Sequence, residues 1–392
     1  MRILLTTQPA YGHFRPLLPL AYALLHRGHD VRVATSRLFG SVIAEHGLVA
    51  VAAGLEWLES DKSTIPDELR APPDSTLEAY FAHQFVRMTA RQLAEDVVAL
   101  VHEWAPHVIV HESTEFGGPL AAERVGIPAA AIQVGSPSLV TPALLKAVQP
   151  VLDGVRVELG LPHDPQLRRM RATPVLSFAP PDLHDPSVPL PRDFWSFRLE
   201  PFRDHHTSDP RLDGLGTVRP LVYATLGTVF NNPAFDLPFF PFILDGMGGE
   251  DLDVLIALGP GADPTSLGSH PPNVHVADFV PQRAVLERSS VVVCHGGYGT
   301  LLDAVDAAVP LVVVPFGADQ HINAASVERL GIGQVIDENA LSADRLRSTV
   351  CDILEDQRCQ RNVKRLRNAW HALPDPAAAA ARVERLVGSP PT

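Results

Sequence analysis

Short apolar runs alternate with stretches of helical periodicity along most of the chain. Residues 3–7 read as a short buried strand. After a loop, Leu17, Leu20, Ala21, Leu24 and Leu25 recur at the three- and four-residue spacing of one helix face. Pro16 suits the first turn of that helix and Gly28 its end. A second strand is predicted over 31–35, and the alternation continues with a strand at 108–111, a helix at 117–124 and a strand at 129–133. This is the βαβ rhythm of an α/β protein with a mostly parallel sheet.

Two stretches interrupt the rhythm. Residues 55–77 carry Asp61-Lys62-Ser63 and Pro72-Pro73 and read as a loop, followed by one long helix over about 78–103. Residues 179–220 are rich in proline and polar side chains, and their later part reads as an interdomain linker. The alternation then restarts, with strands predicted at 221–225, 254–258, 291–294 and 311–315. Helices are predicted near 281–288, 299–308, 320–330 and 342–355, and an Ala/Arg-rich helical stretch over 359–387. The expected division is a first domain over 1–200, a linker over 201–218, a second domain over 219–370 and a C-terminal helix over 371–392 that packs back on the first domain. The expected fold class is therefore α/β, with two Rossmann-like domains facing across a cleft and ligands at the C-terminal ends of the strands.

Length supports two cores, because 392 residues exceed what one usually holds. The net charge of -13, with no basic run, argues against a nucleic-acid partner. An anionic ligand must then be held by local backbone donors. Three cysteines without a CxxC pair suit a reducing compartment, so a cytoplasmic location is expected. The apolar start is too short for a signal peptide and no apolar stretch reaches transmembrane length, so no stable membrane insertion is expected. The histidines are scattered. Asp251-Leu252-Asp253 matches a DxD metal pattern, but it precedes a strand and reads as a surface turn, so no metal site is expected.

Four segments carry candidate chemistry. The first strand-to-helix turn, Gln8-Pro9-Ala10-Tyr11-Gly12-His13-Phe14-Arg15-Pro16, lacks the GxGxxG of a dinucleotide site, which argues against a nicotinamide cofactor. His13 in this turn suits a general base, its ordinary pKa of about 6.5 leaving it largely neutral at pH 7. The position equally suits a helix-capping or surface histidine. A carboxylate beside such a base would fix its tautomer, and either Glu112 or Glu115, after the strand at 108–111, could supply it. The strongest local signal is the strand 291–294 running into His295-Gly296-Gly297-Tyr298-Gly299-Thr300. A glycine-rich turn that opens a helix binds phosphate through free N–H groups and the helix dipole. Two weaker signals also follow strands. Thr225-Leu226-Gly227-Thr228 could donate to the same diphosphate. Phe316-Gly317-Ala318-Asp319-Gln320 offers a carboxylate and an amide suited to sugar hydroxyls, or an ordinary helix cap at Asp319.

Together these segments resemble the GT-B-fold glycosyltransferases of family 1, especially the bacterial enzymes that decorate macrolides, polyketides and enediynes. The resemblance rests on Gly12-His13-x-x-Pro16, on His295-Gly296-Gly297-x-Gly299-Thr300 and on Gly317-Ala318-Asp319-Gln320, and covers nearly the whole chain. It implies an inverting transfer of a sugar, with dTDP-deoxysugars the favoured donors, onto a hydroxyl of an apolar small molecule, with no cofactor beyond the nucleotide sugar. It implies His13 as base with Glu112 as partner. His295, Gly299, Thr300 and Thr228 would hold the diphosphate, together with Thr225, Gly227, Gly296 and Gly297 of the same turns. Asp303 would reach the ribose, Val280 and Gln282 flank the nucleobase, and Asp319 and Gln320 bind the transferred sugar. The N-terminal domain would take the acceptor, with Phe14, Trp57, Phe81, Phe85 and Phe116 either lining its pocket or serving as plain core. The reading allows a homodimer. The competing readings are a nucleotide-sugar epimerase on the same scaffold and a nucleotide-sugar-binding auxiliary protein without turnover.

Overall fold

Continuous apolar runs such as Val291-Val292-Val293-Cys294 are the mark of strands covered on both faces, as in parallel sheets. The computed structural model, which describes residues 1–67, 70, 76–199, 209–227, 237–259 and 261–388, arranges thirteen such strands in two sheets. The chain divides into two units. The first comprises Met1–Ala179, Pro186–Glu200 and Leu373–Thr392, and the second Pro180–Asp185 and Pro201–Ala372.

In the first unit the chain runs β1 (Arg2–Thr6), α1 (Tyr11–Phe14), α2 (Leu18–His26), β2 (Asp30–Thr35), α3 (Gly40–Glu45), β3 (Val49–Ala52), α4 (Leu77–Phe81), α5 (Ala90–Trp104), β4 (Val108–Glu112) and α6 (Gly117–Val125). It continues through β5 (Ala129–Ile132), α7 (Pro142–Glu158), α8 (Arg168–Ala172), β6 (Val175–Ser177) and β7 (Phe194–Ser196). The sheet order is β3-β2-β1-β4-β5-β6-β7, every pairing parallel. Pro16 lies in a 3-10 turn, Arg15–Leu17, between α1 and α2 rather than in the first turn of α2 itself. The single helix expected over 78–103 is interrupted: Ala82–Met88 form a π-helical segment, and the Thr89 hydroxyl donates back to the Phe85 carbonyl at 3.0 Å. Such back-bonding competes with the regular ladder and marks its disruption.

The second unit runs β8 (Leu221–Thr225), α9 (Phe239–Met247), β9 (Asp253–Ala257), β10 (Val274–Ala277), α10 (Gln282–Leu286), β11 (Val291–Cys294), α11 (Tyr298–Ala307), β12 (Leu311–Val313), α12 (Gln320–Leu330), β13 (Gly333–Val335), α13 (Ala343–Glu355) and α14 (Gln357–His371). Its sheet order is β10-β9-β8-β11-β12-β13, again parallel. In both sheets the strand order reverses next to the first strand of the unit, between β1 and β4 and between β8 and β11. These are the topological switch points at which open α/β sheets bind ligands.

The expected linker over 201–218 falls within the second unit. Its residues 201–208 lie outside the described residues, and the remainder forms one 3-10 turn, Pro210–Leu212. The helical stretch expected over 359–387 is two helices, α14 and α15 (Pro376–Gly388), because Pro374 and Pro376 cannot continue α14. The second of these belongs to the first unit. Ala379, Ala380 and Val383 are buried, and Glu384 takes Arg27 at 2.6 and 2.7 Å and His29 at 2.8 Å at the end of α2.

Candidate active site

Two groups of polar residues occupy the two switch points, one in each unit. In the first unit four residues separate β1 from α1, which places His13 beside the end of β4. His13 Nδ1 lies 3.0 Å from Glu112 Oε1, and Glu112 is wholly buried. Thr114 fixes that carboxylate: its N–H donates to Oε2 at 2.6 Å, and its hydroxyl donates to Oε1 at 2.7 Å while lying 2.9 Å from His13 Nδ1. Gln8 braces the turn by donating to the Thr114 carbonyl and the Thr89 hydroxyl, both at 3.3 Å. With an acceptor-only carboxylate on Nδ1, that nitrogen carries the proton, and Nε2 is the atom left to exchange one.

Nε2 has a neighbour that sequence reasoning missed: Glu59 Oε2 stands 3.3 Å away. Burial pushes the His13 pKa down, but the charges of Glu59 and Glu112 and their hydrogen bonds outweigh it, holding the imidazole well above the ordinary histidine value. The expectation that His13 is largely neutral at pH 7 is therefore corrected. Between two carboxylates the imidazolium is the favoured resting form.

The choice between Glu112 and Glu115 falls to Glu112. Glu115 is wholly buried, accepts from the Thr6 hydroxyl and the Gly117 N–H, and takes the Gly118 N–H at 3.0 Å, so it caps α6. Burial pushes its carboxyl up to about 7 against those hydrogen bonds.

Trp57, Phe81, Phe85 and Phe116 are all buried in one apolar cluster of the first unit. They form core, and of the four Phe85 also meets the base, with its ring centroid 5.5 Å from that of His13. Phe14 does not reach a ligand surface. One residue on from His13 the helix turns by about 100°, and the ring is fully buried against Phe39 and His46.

In the second unit β11 ends in the glycine-rich turn, and α11 opens with the N–H groups of Tyr298, Gly299 and Thr300 ahead of the first intrahelical bond, Leu301 to Gly297. His295 is buried and bonds the backbone of Thr225 at the end of β8. Burial lowers its pKa to about 4, so it is neutral. The glycines exist to make room for this ring. A Cβ on Gly227 would lie 2.9 Å from His295 Cε1 and one on Gly297 2.5 Å from Nε2, while Gly296 at φ +87 adopts a backbone that side chains rarely take. The Thr225 hydroxyl accepts from the Gly227 N–H at 3.1 Å, which shapes the adjoining turn. Thr228 lies outside the described residues.

Gln282, Thr300 and Asp303 are brought together. Gln282 Nε2 donates to Asp303 Oδ2 at 2.5 Å, and Thr300 donates to Gln282 Oε1 at 3.5 Å. Val280 points inward and is buried, whereas its neighbour Phe279 is half exposed. Gln320 departs from its expected role. It is buried, and its carbonyl oxygen accepts from the Phe316 and Gly317 N–H groups at 2.7 and 3.2 Å, which otherwise lack acceptors where the loop enters α12. Asp319 accepts from Asn323 at 3.0 Å, and the same amide donates to the Gly296 carbonyl at 2.9 Å, so Asn323 fastens the glycine-rich turn to the 316–320 loop. Asn323 gave no signal in the sequence, being one polar residue on a helix face. Asp253 of the DxD pattern starts β9 and pairs with Arg219 at 2.7 Å, a structural ion pair. Among the described residues no three His, Cys, Asp or Glu side chains cluster as metal ligands, and no helix is long and apolar enough to cross a membrane.

Two parallel-sheet Rossmann-like units, one with a histidine–carboxylate pair and one with a glycine-rich helix N-terminus at the switch point, define a GT-B glycosyltransferase that depends on a nucleotide sugar and acts on a small-molecule acceptor. Solved structures agree. The glycosyltransferase SnogD from Streptomyces nogalater superposes with a TM-score of 0.79 at 27% identity over 99% of both chains. The glycosyltransferase VinC in complex with dTDP superposes at 0.81 and 22% identity, over 99% of this chain and 100% of that one. The elloramycin glycosyltransferase of Streptomyces olivaceus is 31% identical over 100% of this chain and 99% of its own length. Family models for the N-terminal and C-terminal domains of erythromycin biosynthesis protein CIII-like proteins match residues 22–152 and 242–386. The chain belongs to that family of bacterial natural-product glycosyltransferases.

Proposed function

We propose that the protein is an inverting, metal-independent glycosyltransferase that moves a deoxysugar from dTDP onto a hydroxyl of an apolar natural product in the cytoplasm. The observation that carries this reading is the His13–Glu112 contact of 3.0 Å at the switch point of the first sheet. In the proposed mechanism His13 Nε2 takes the proton of the acceptor hydroxyl, whose oxygen attacks the anomeric carbon from the face opposite the diphosphate. The new C–O bond forms as the bond to the diphosphate breaks, so the configuration inverts. Glu112 and Thr114 hold the imidazole and stabilise its charge. The charge growing on the leaving diphosphate is met by the N–H groups of Gly296, Gly297, Gly299 and Thr300, donors fixed before the reaction begins, while the single N–H of neutral His295 is spent on the Thr225 backbone and braces the turn. Asp303 and Gln282 suit the deoxyribose, Phe279 and the backbone of Val280 the base, and Asp319 the sugar. The dTDP in the VinC complex supports thymine as the base.

The test is a donor screen by mass spectrometry against a polyketide acceptor panel, with the anomeric configuration of the product read by NMR coupling constants. His13→Ala is expected to lose about a hundredfold or more in kcat. A retained configuration, or a His13→Ala rate within tenfold of wild type, overturns the mechanism. Product formed from donor without acceptor would instead mark an epimerase.

A further inference from the structure

A base that must accept a proton normally presents its reacting nitrogen to open space. Here that nitrogen faces a second carboxylate. Glu59 lies in the loop after β3, 46 residues from His13, and is held there by its own N–H, which donates to the Pro9 carbonyl at 3.3 Å. Its carboxylate is a fifth exposed, against complete burial for that of Glu112. Among the described residues the groups facing the imidazole are Glu112 from β4, Glu59 from the β3–α4 loop, the Thr114 hydroxyl and the uncharged Phe85 ring. Tyr80 of α4 neighbours Glu59, and burial followed by the charge of Glu59 pushes its hydroxyl up to about 12, so it stays neutral and leaves the carboxylate's charge intact.

We infer that Glu59 is a positioning residue for the transfer reaction: it strengthens His13 as a base by stabilising the imidazolium at the nitrogen that receives the acceptor's proton. Glu112 fixes the tautomer from the buried side, while Glu59 adds negative charge on the reacting side. The acceptor hydroxyl gives its proton to Nε2, and the N–H so formed donates to Glu59 Oε2, which remains ionised. The product then leaves, and the proton passes from His13 to water through the partly exposed Glu59 edge, regenerating the base. The 3.3 Å separation is long for a charge-assisted bond, which leaves the contact loose enough to yield to an entering hydroxyl. The cost is that His13 must shed a tightly held proton before each turnover, so the enzyme trades activity at low pH for a stronger base.

This inference rests on His13 being the base, and the experiment separates the two. The pH profile of kcat/KM is measured for wild type, Glu59→Gln, Glu59→Asp and His13→Ala, and the His13 imidazole is titrated by NMR in the first three. Glu59→Gln is expected to lower the acid limb and the imidazole pKa together by about one pH unit or more. Its plateau kcat should fall several-fold, because the base is weaker. Glu59→Asp should return the limb most of the way toward wild type. If Glu59→Gln loses activity with the limb and the imidazole pKa unmoved, Glu59 merely anchors its loop and the inference is wrong. If His13→Ala keeps wild-type activity, the base assignment itself falls. His13→Ala inactive with an unmoved Glu59→Gln limb removes only the role of Glu59.

Discussion

His295 lies against Gly297 so closely that one added carbon on the glycine would stand 2.5 Å from the imidazole Nε2. The glycine-rich turn is therefore a socket for a buried, neutral histidine as well as the proposed phosphate cradle. Gly297→Ala must push the ring aside or shift the turn. The expected cost is about 1–3 kcal/mol of stability and at least a tenfold loss of nucleoside diphosphate affinity, read by thermal denaturation and calorimetric titration. Wild-type affinity in a folded Gly297→Ala protein would contradict the placement of the diphosphate at this turn.

Glu112 and Glu115 are both buried carboxylates three residues apart, yet the structure gives them separate work. Glu112→Gln is expected to lower kcat by roughly ten- to a hundredfold. Glu115→Gln should mainly cost stability, about 1–3 kcal/mol from its lost hydrogen bonds to Thr6 and the start of α6. Its pH dependence has a definite sign. The folded carboxyl, raised by burial from 4.5 to about 7, contributes stability that is complete below 4.5 and is lost as pH rises through about 7. Denaturant titrations at pH 4.5 and pH 8 should thus show wild type more superior to Glu115→Gln at the lower pH. A gap that widens at pH 8 contradicts this environment.

The acid limb of the wild-type kcat/KM profile is expected above the ordinary histidine value, because burial of His13 is outweighed by Glu59 and Glu112. A limb at or below about 6.5 would show that the two carboxylates do not act on the base in solution. His295, lowered by burial to about 4, should contribute no titration between pH 5 and 8.

The helix α15 is fastened to α2 through Glu384, whose carboxyl is held down to about 2 by hydrogen bonds from Arg27 and then His29. A depressed carboxylate gives stability that is present above 4.5 and lost as pH falls toward about 2. Glu384→Ala is expected to cost about 1 kcal/mol, since the pair is partly exposed. It should also speed hydrogen exchange in residues 376–388, measured by mass spectrometry. Unchanged exchange there would show that apolar contacts alone hold the helix.

Transfer activity is expected to survive EDTA. The neutralising groups proposed for the diphosphate are N–H donors, and Asp253 of the DxD pattern is committed to Arg219. Loss of activity on chelation, restored by a divalent ion, would overturn the metal-independent mechanism.

The strands and the glycine-rich turn were legible because their signals are local. An apolar run such as 291–294 needs no partner to identify it, and a glycine pair beside a histidine is written in consecutive letters. The linear order carried the repeating βαβ series that β1 and β8 each open, but the switch points beside them appear only in the strand order of the folded sheets. What the sequence could not decide depends on distance through space or on a rotation of one residue. Glu112 and Glu115 differ by which face of a turn each meets, and Phe14 differs from His13 by one helical step that sends it into the core. Gln320 looked like a sugar ligand until the loop's own N–H groups claimed its oxygen. The Glu59 contact joins residues 46 positions apart across a loop without periodicity, and only tertiary packing could place a second carboxylate on the nitrogen of the base. Local sequence sets which backbone forms each element. The burial, hydrogen bonding and charge of a side chain are set by everything folded around it.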